Sequence, residues 1–168
     1  MEVWDQIEKM DVLLGQFNNF YNSEFERYFI EFRQLQRFGI RYADLNVLRY
    51  TDYDKTSLVV NLSKNCGNRI LEYDDVFDKQ NFAQHFLSKS NKYNITPYST
   101  LLALFRKFTN NYVISLNNKN LNLHFFRHYL MKVKYLETGN LSEVSYFFQV
   151  SNLSVVEDYI YSELQYNY

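Results

Sequence analysis

The segment HFFRH, residues 124–128, places His124, Arg127 and His128 within a few positions of one another, and the apolar-periodic segment LSVVEDYIY further on carries Tyr159. A guanidinium such as that of Arg127 grips non-bridging phosphate oxygens in bidentate fashion and stabilises charge developing in a transition state. An imidazole moves a proton. A phenol attacks phosphorus and holds the phosphate covalently. Together these residue types make a kit for phosphodiester chemistry, which needs two arginines, a lysine or histidine, and a tyrosine from separated segments. The bland alternative is a stretch of ordinary helical core. His124 and His128 also stand at the i, i+4 spacing by which two imidazoles share a zinc ion. However, Phe125 replaces the glutamate of that pattern, Arg127 puts a cation between the two rings, and His85 is the one other histidine. No metal is expected. There is no glycine-rich phosphate loop, and Cys66, in a polar turn, has no histidine arranged beside it.

The charge distribution supports a polyanionic partner even though the net charge is −1. Residues 79–136 contain no Asp or Glu, yet hold Lys79, Lys89, Lys92, Arg106, Lys107, Lys119, Arg127, Lys132 and Lys134. All nineteen acidic residues lie outside this stretch. A basic half joined to an acidic half suits docking of nucleic acid on one face. A chain of 168 residues with 46% apolar content is long enough for one well-buried domain. The lone cysteine excludes an internal disulfide, no secretory leader opens the chain, and no apolar run is long enough to span a bilayer. The expected compartment is the cytoplasm of a bacterium, an archaeon or a viral host, with no membrane partner.

The elements that must position these residues are mostly helices. Trp4, Ile7, Leu13, Leu14, Phe17 and Phe20 recur at helical spacing between acidic positions, which predicts an amphipathic helix over residues 1–22. Ser23 with Glu26 forms a capping box, and Phe25, Phe29, Phe32 and Leu35 then make a helical stripe ending before Gly39. SLVVNL and RILEY, joined by NCGN, read as two short antiparallel strands, and YVISL, residues 112–116, as a possible third. A helix from Asp74 or Asp75 through Phe77, Phe82 and Phe86 follows. Thr96 and Pro97 open another as N-cap and first helical residue. Asn120 or Asn122 caps the helix bearing His124 and Arg127, which stops at Gly139. LSEVSYFFQ is a short helix, SN a break, and LSVVEDYIYSELQ the last helix. Helical geometry points Tyr161 to nearly the opposite side from Tyr159. The fold class is α+β and mainly helical, with a small antiparallel sheet of two or three strands.

Taken in order, these segments resemble the catalytic domain of the tyrosine recombinases, the family that includes phage integrases. GIRYADLNVLRYTDYD, residues 39–54, is similar to the family's G-[LI]-R-x-x-E-L segment, with Asp44 for the usual Glu. SLVVNLSKNCGNRILEY resembles the strand-turn-strand that carries a lysine, here Lys64. HFFRH matches the His-x-x-Arg-His box. QVSNLSVVEDY resembles the segment whose nine-residue step ends on the nucleophile, here Tyr159. The resemblance covers residues 23 to 165 and implies a site-specific recombinase or integrase that cuts and rejoins DNA through a 3′-phosphotyrosine. It makes Arg41, Lys64, His124, Arg127 and Tyr159 the catalytic set, with no cofactor. Arg106, Lys107, Lys132 and Lys134 are the expected contacts to double-stranded DNA, and a homo-tetramer on DNA is implied.

Two departures shape the expectation. Val150 stands where the family has a histidine or tryptophan and has no side-chain donor for phosphate. A lost donor of this type lowers rates by about 10²-fold or more. The family's separate N-terminal DNA-binding domain is not recognised, so the expected organisation is an N-terminal helix at 1–22 and a catalytic domain at 23–168, with an accessory DNA-binding protein as a possible partner. The alternative is a non-catalytic DNA-binding or regulatory protein that retains the fold.

Overall fold

A computed structural model describes residues 3–18, 28–45, 57–60, 69–72, 95–110 and 122–161. Helices dominate. They are α1 (Val3–Asn18), α2 (Phe29–Phe38), α3 (Tyr98–Asn110), α4 (Phe125–Thr138), α5 (Leu141–Phe148) and α6 (Leu153–Tyr161). Strands β1 (Ser57–Val60) and β2 (Arg69–Glu72) pair antiparallel, with Ser57 opposite Glu72 and Val60 opposite Arg69. The expected helix from Asp74 or Asp75, the possible third strand at 112–116, the Ser23–Glu26 capping box and Lys64 lie outside the described residues.

Helix ends follow local chemistry. α2 stops because Gly39 takes the left-handed conformation, φ 60°, and returns its N–H to the Leu35 carbonyl at 3.0 Å. Gly139 ends α4 in the same way, bonding the Tyr135 carbonyl at 2.7 Å. α4 begins just after His124, whose N–H is taken by the Asn122 side chain at 2.9 Å. Asn140 caps α5 by accepting from Ser142 and Glu143, and Asn152 accepts the Ser154 N–H ahead of α6 at 3.0 Å. α3 opens at Tyr98, one residue later than its sequence suggests. The Pro97 carbonyl accepts its first N–H groups, and Thr96 acts through its backbone, bonding the Glu31 carboxylate and the Tyr42 hydroxyl.

The core has two parts. In one, Phe17 of α1 meets Phe32 of α2 and Phe105 of α3 edge-on, at ring centroid distances of 5.2 and 5.1 Å, and Phe126 of α4 at 6.1 Å. The N-terminal helix, set apart at 1–22 by its sequence, therefore shares this core, and each such buried ring contributes roughly 1.5–3 kcal/mol. In the other, Ile7, Met131, Val144, Phe148, Val156, Tyr159 and Ile160 bring α5 and α6 onto α4. α4 supplies residues to both, and Tyr129 packs against both. It is the shaft on which the other helices are mounted, and it begins at the HFFRH segment. No helix among the described residues is long and apolar enough to cross a membrane.

Gly39 has a second reason to be glycine. A Cβ there would lie 3.0 Å from Leu130 Cδ1 and 3.1 Å from Phe148 Cε1. Gly39→Ala combines that crowding with left-handed strain, so it should lower unfolding stability by about 2 kcal/mol, measured by urea denaturation.

Candidate active site

Arg127 leaves the first turn of α4 and is 4% exposed. Its Nη1 donates to the Gly39 carbonyl at 2.7 Å, joining α4 to the end of α2. Its guanidinium lies over the rings of Phe148 and Tyr159, at 5.7 and 5.6 Å from their centroids. Its buried Nε has no hydrogen-bond partner among the described residues. Burial pushes the Arg127 pKa down, opposed by Tyr159 and Asp44.

Arg41 follows directly from Gly39-Ile40, so the turn that anchors Arg127 also delivers Arg41. Asp44 fixes that turn. Its Oδ2 accepts the Arg41 N–H at 2.9 Å and stands 3.8 Å from Arg41 Nε. Arg41 remains partly exposed and lies near enough to His124 and Arg127 for its charge to depress the pKa of each.

Tyr159 is 5% exposed, and Tyr161 is 53% exposed, as their opposed directions on α6 require. The Tyr159 hydroxyl stands 3.4 Å from His124 Nδ1. Of the residues singled out by sequence, the structure thus brings together Arg41, His124, Arg127 and Tyr159. Burial, then Arg127, then Arg41 lower the His124 pKa to about 4, which leaves the ring neutral near pH 7.

His128, absent from the expected catalytic set, is part of the same arrangement. Its ring packs 4.6 Å from that of Tyr159, and its Nδ1 lies 3.1 Å from the Tyr159 carbonyl, which makes Nδ1–H the donor. Burial lowers its pKa to about 3. Both histidines fold neutral although an unfolded imidazole titrates near 6.5. The stabilisation from burying them neutral is complete above pH 6.5 and is lost as pH falls toward 4 for His124 and 3 for His128. Around pH 5, His128 alone should contribute a slope of about 1.4 kcal/mol per pH unit. Urea midpoints followed through acid should show that decline, made shallower by this amount in His128→Asn.

The expected DNA contacts divide. Arg106 and Lys107 are exposed near the end of α3. Lys134 is partly exposed, with Nζ 4.4 Å from the centre of the Phe147 ring and 4.0 Å from Glu137 Oε2. Lys132 is corrected: it is fully buried, and its Nζ donates to the Ile160 carbonyl. A side chain enclosed between α4 and α6 does not reach a DNA backbone. Its sequence signal was phase, since it falls one turn after His128 on the face turned to α6. Val150 packs against the second core cluster, and its backbone bonds Ser145 through both N–H and carbonyl. Gln149 before it takes a left-handed φ of 54°, a conformation that favours glycine. Among the described residues, no group of three His, Cys, Asp or Glu is placed to hold a metal.

No protein-family model and no curated protein matches the chain. Solved structures do. The XerH site-specific recombinase, bound to its palindromic difH substrate in a post-cleavage complex, superposes with a TM-score of 0.65 at 14% identity. The match covers 94% of this chain and 49% of that one. The Tn1549 transposon integrase, in complex with a circular intermediate DNA, gives a TM-score of 0.59 at 14% identity, over 90% of this chain and 59% of the integrase. In complex with transposon right end DNA it gives 0.58 at 15% identity. The chain spans about half the length of the XerH chain and about three fifths of the integrase. The chain has the fold of the tyrosine recombinases.

Proposed function

We propose, on the premise of that fold, that this protein is a site-specific DNA recombinase or integrase acting through a 3′-phosphotyrosine. The observation that carries the reading is the meeting of the Tyr159 hydroxyl with a neutral His124, beside Arg127 and within the field of Arg41. A phosphodiester placed between the two guanidiniums has its negative charge matched by both. Tyr159 Oη attacks phosphorus as the bond to the 5′-oxygen breaks, and the phenolic proton passes to His124 Nδ1. His124 Nε2–H then faces the phosphate in the tautomer this requires. Lys64 supplies the proton to the departing 5′-oxygen. The phosphotyrosine conserves the bond, so the reverse step rejoins DNA without a nucleotide cofactor. Assembly as a tetramer on two sites, with residues 23–168 as the catalytic unit, belongs to the same reading.

A library of nicked duplexes with randomised arms tests it. The nick lets the short 5′ fragment leave, so cleavage is trapped as a protein–DNA adduct that survives denaturation. Adducts attached at Tyr159 are the expected result, and their absence from a library that the protein binds overturns the enzymatic reading. Salt-sensitive binding with no adduct favours the alternative, a DNA-binding relative without catalysis. The packing of Val150 among apolar side chains, with no donor to offer phosphate, is the observation on that side.

DNA binding should weaken steeply with salt, because each phosphate neutralised releases counterions. The double variant Arg106→Ala/Lys107→Ala should lower the slope of log K against log salt by about 1.8, two contacts at about 0.9 each. Fluorescence anisotropy on a captured duplex measures it.

A further inference from the structure

Near Tyr161, α6 is tied to α4 by bonds to consecutive residues. α4 supplies donors for two of the carbonyls and a hydroxyl partner for the residue that follows. The His128 ring donates to the Tyr159 carbonyl, Lys132 Nζ donates to the Ile160 carbonyl, and the Tyr161 hydroxyl bonds that of Tyr135 at 2.8 Å. His128, Lys132 and Tyr135 stand at i, i+4 and i+7, one stripe along α4. Three consecutive residues of α6 are thus read off by one face of α4, starting at Tyr159. Lys132 is 0% exposed and His128 1% exposed, so both bonds are sheltered from competing water.

We propose that His128 and Lys132 are positioning residues for Tyr159: together they lock the rotational phase of α6 so that the phenol is held against His124. Successive residues of a helix are rotated by about 100°, so slippage by a single residue swings the Tyr159 ring away from His124 altogether. Val156 and Ile160 flank Tyr159 on the same buried face and set it through packing. Directional bonds to two named carbonyls define the phase. Lys132, which its sequence marks as a DNA contact, acts from inside the protein. The catalytic consequence rests on the proposed function, whereas the positional one does not.

The test uses Lys132→Met, which keeps the stem and removes the donor, and Lys132→Arg, which restores one. Two readouts are taken on the full chain. One is nitration of Tyr159 by tetranitromethane, located by tandem mass spectrometry, with the partly buried Tyr42 and Tyr98 as internal controls. The other is the rate of adduct formation on a captured nicked duplex, beside its affinity. In Lys132→Met, nitration of Tyr159 should rise about tenfold as the final turn opens locally. Adduct formation should slow about 10²-fold, the scale of a misplacement of roughly 1 Å. Affinity and control tyrosines should be unchanged, with recovery in Lys132→Arg. Equal protection of Tyr159 in wild type and Lys132→Met overturns the proposal. So does a rise in reactivity of all tyrosines together, which marks a purely structural lysine. If wild type forms no adduct while Tyr159 still becomes reactive in Lys132→Met, the strand-transfer reading fails and the phase lock stands. Should Lys132→Met not fold, His128→Leu against the donor-retaining His128→Asn makes the same comparison at the neighbouring carbonyl.

Discussion

Tyr159→Phe should abolish covalent capture of nicked DNA, a loss of about 10⁴-fold or more, while leaving DNA affinity within about twofold. Removing a nucleophile for which nothing substitutes has effects on this scale. The surroundings make the variant clean. The ring is enclosed by Arg127, His128 and the second core cluster, and phenylalanine keeps that ring. The hydroxyl that is lost makes a long contact of 3.4 Å to His124 and a hydrogen bond with Arg127. Tyr161, exposed and bonded to Tyr135, does not take over the attack. The measurement is the adduct band after denaturation, beside the binding isotherm. Residual adduct in Tyr159→Phe that maps to Tyr161 overturns the assignment.

Arg127→Lys should fail in two ways at once. The Gly39 carbonyl loses its donor and lies buried, at a cost of about 1–3 kcal/mol. A lysine that reaches back to that carbonyl also has no second pair of donors for phosphate, because an ammonium lacks the planar fork of a guanidinium. Adduct formation should fall by about 10³-fold, the upper range for loss of a charge-stabilising donor. Urea unfolding measures the first effect and single-turnover capture the second. The coupling follows from geometry: the guanidinium lies against the rings of Phe148 and Tyr159 while Nη1 holds the chain at Gly39. Single-turnover capture at wild-type rate in Arg127→Lys excludes Arg127 from the phosphate site.

Much of this was legible in the sequence, for local reasons. Gly39 and Gly139 end helices because the left-handed position suits glycine, and the spacing of Phe32 and Leu35 set the buried face of α2 in advance. The opposed directions of Tyr159 and Tyr161 needed two helical steps and nothing more. The order of motifs, more than any one of them, indicated the fold. What escaped was decided by distant partners. Lys132 was read as a surface cation because lysine usually is one, and its burial depends on the Ile160 carbonyl, supplied by another helix. Gln149 occupies a left-handed position that composition would give to glycine, and Asn140 caps α5 with no prior flag although Glu143 stands three residues on. Lys64 lies outside the described residues.

The bond from Arg127 to Gly39 spans 88 residues of chain. Contacts of such separation are reached late, because the entropy of closing the intervening loop opposes them until neighbouring structure has formed. During synthesis, the turn bearing Arg41 leaves the ribosome well before α4, and Tyr159 emerges later still. Every intermediate of translation therefore carries at most part of the charge-and-nucleophile arrangement. On the proposed function, competence to break a strand would arrive only when α6 docks on α4.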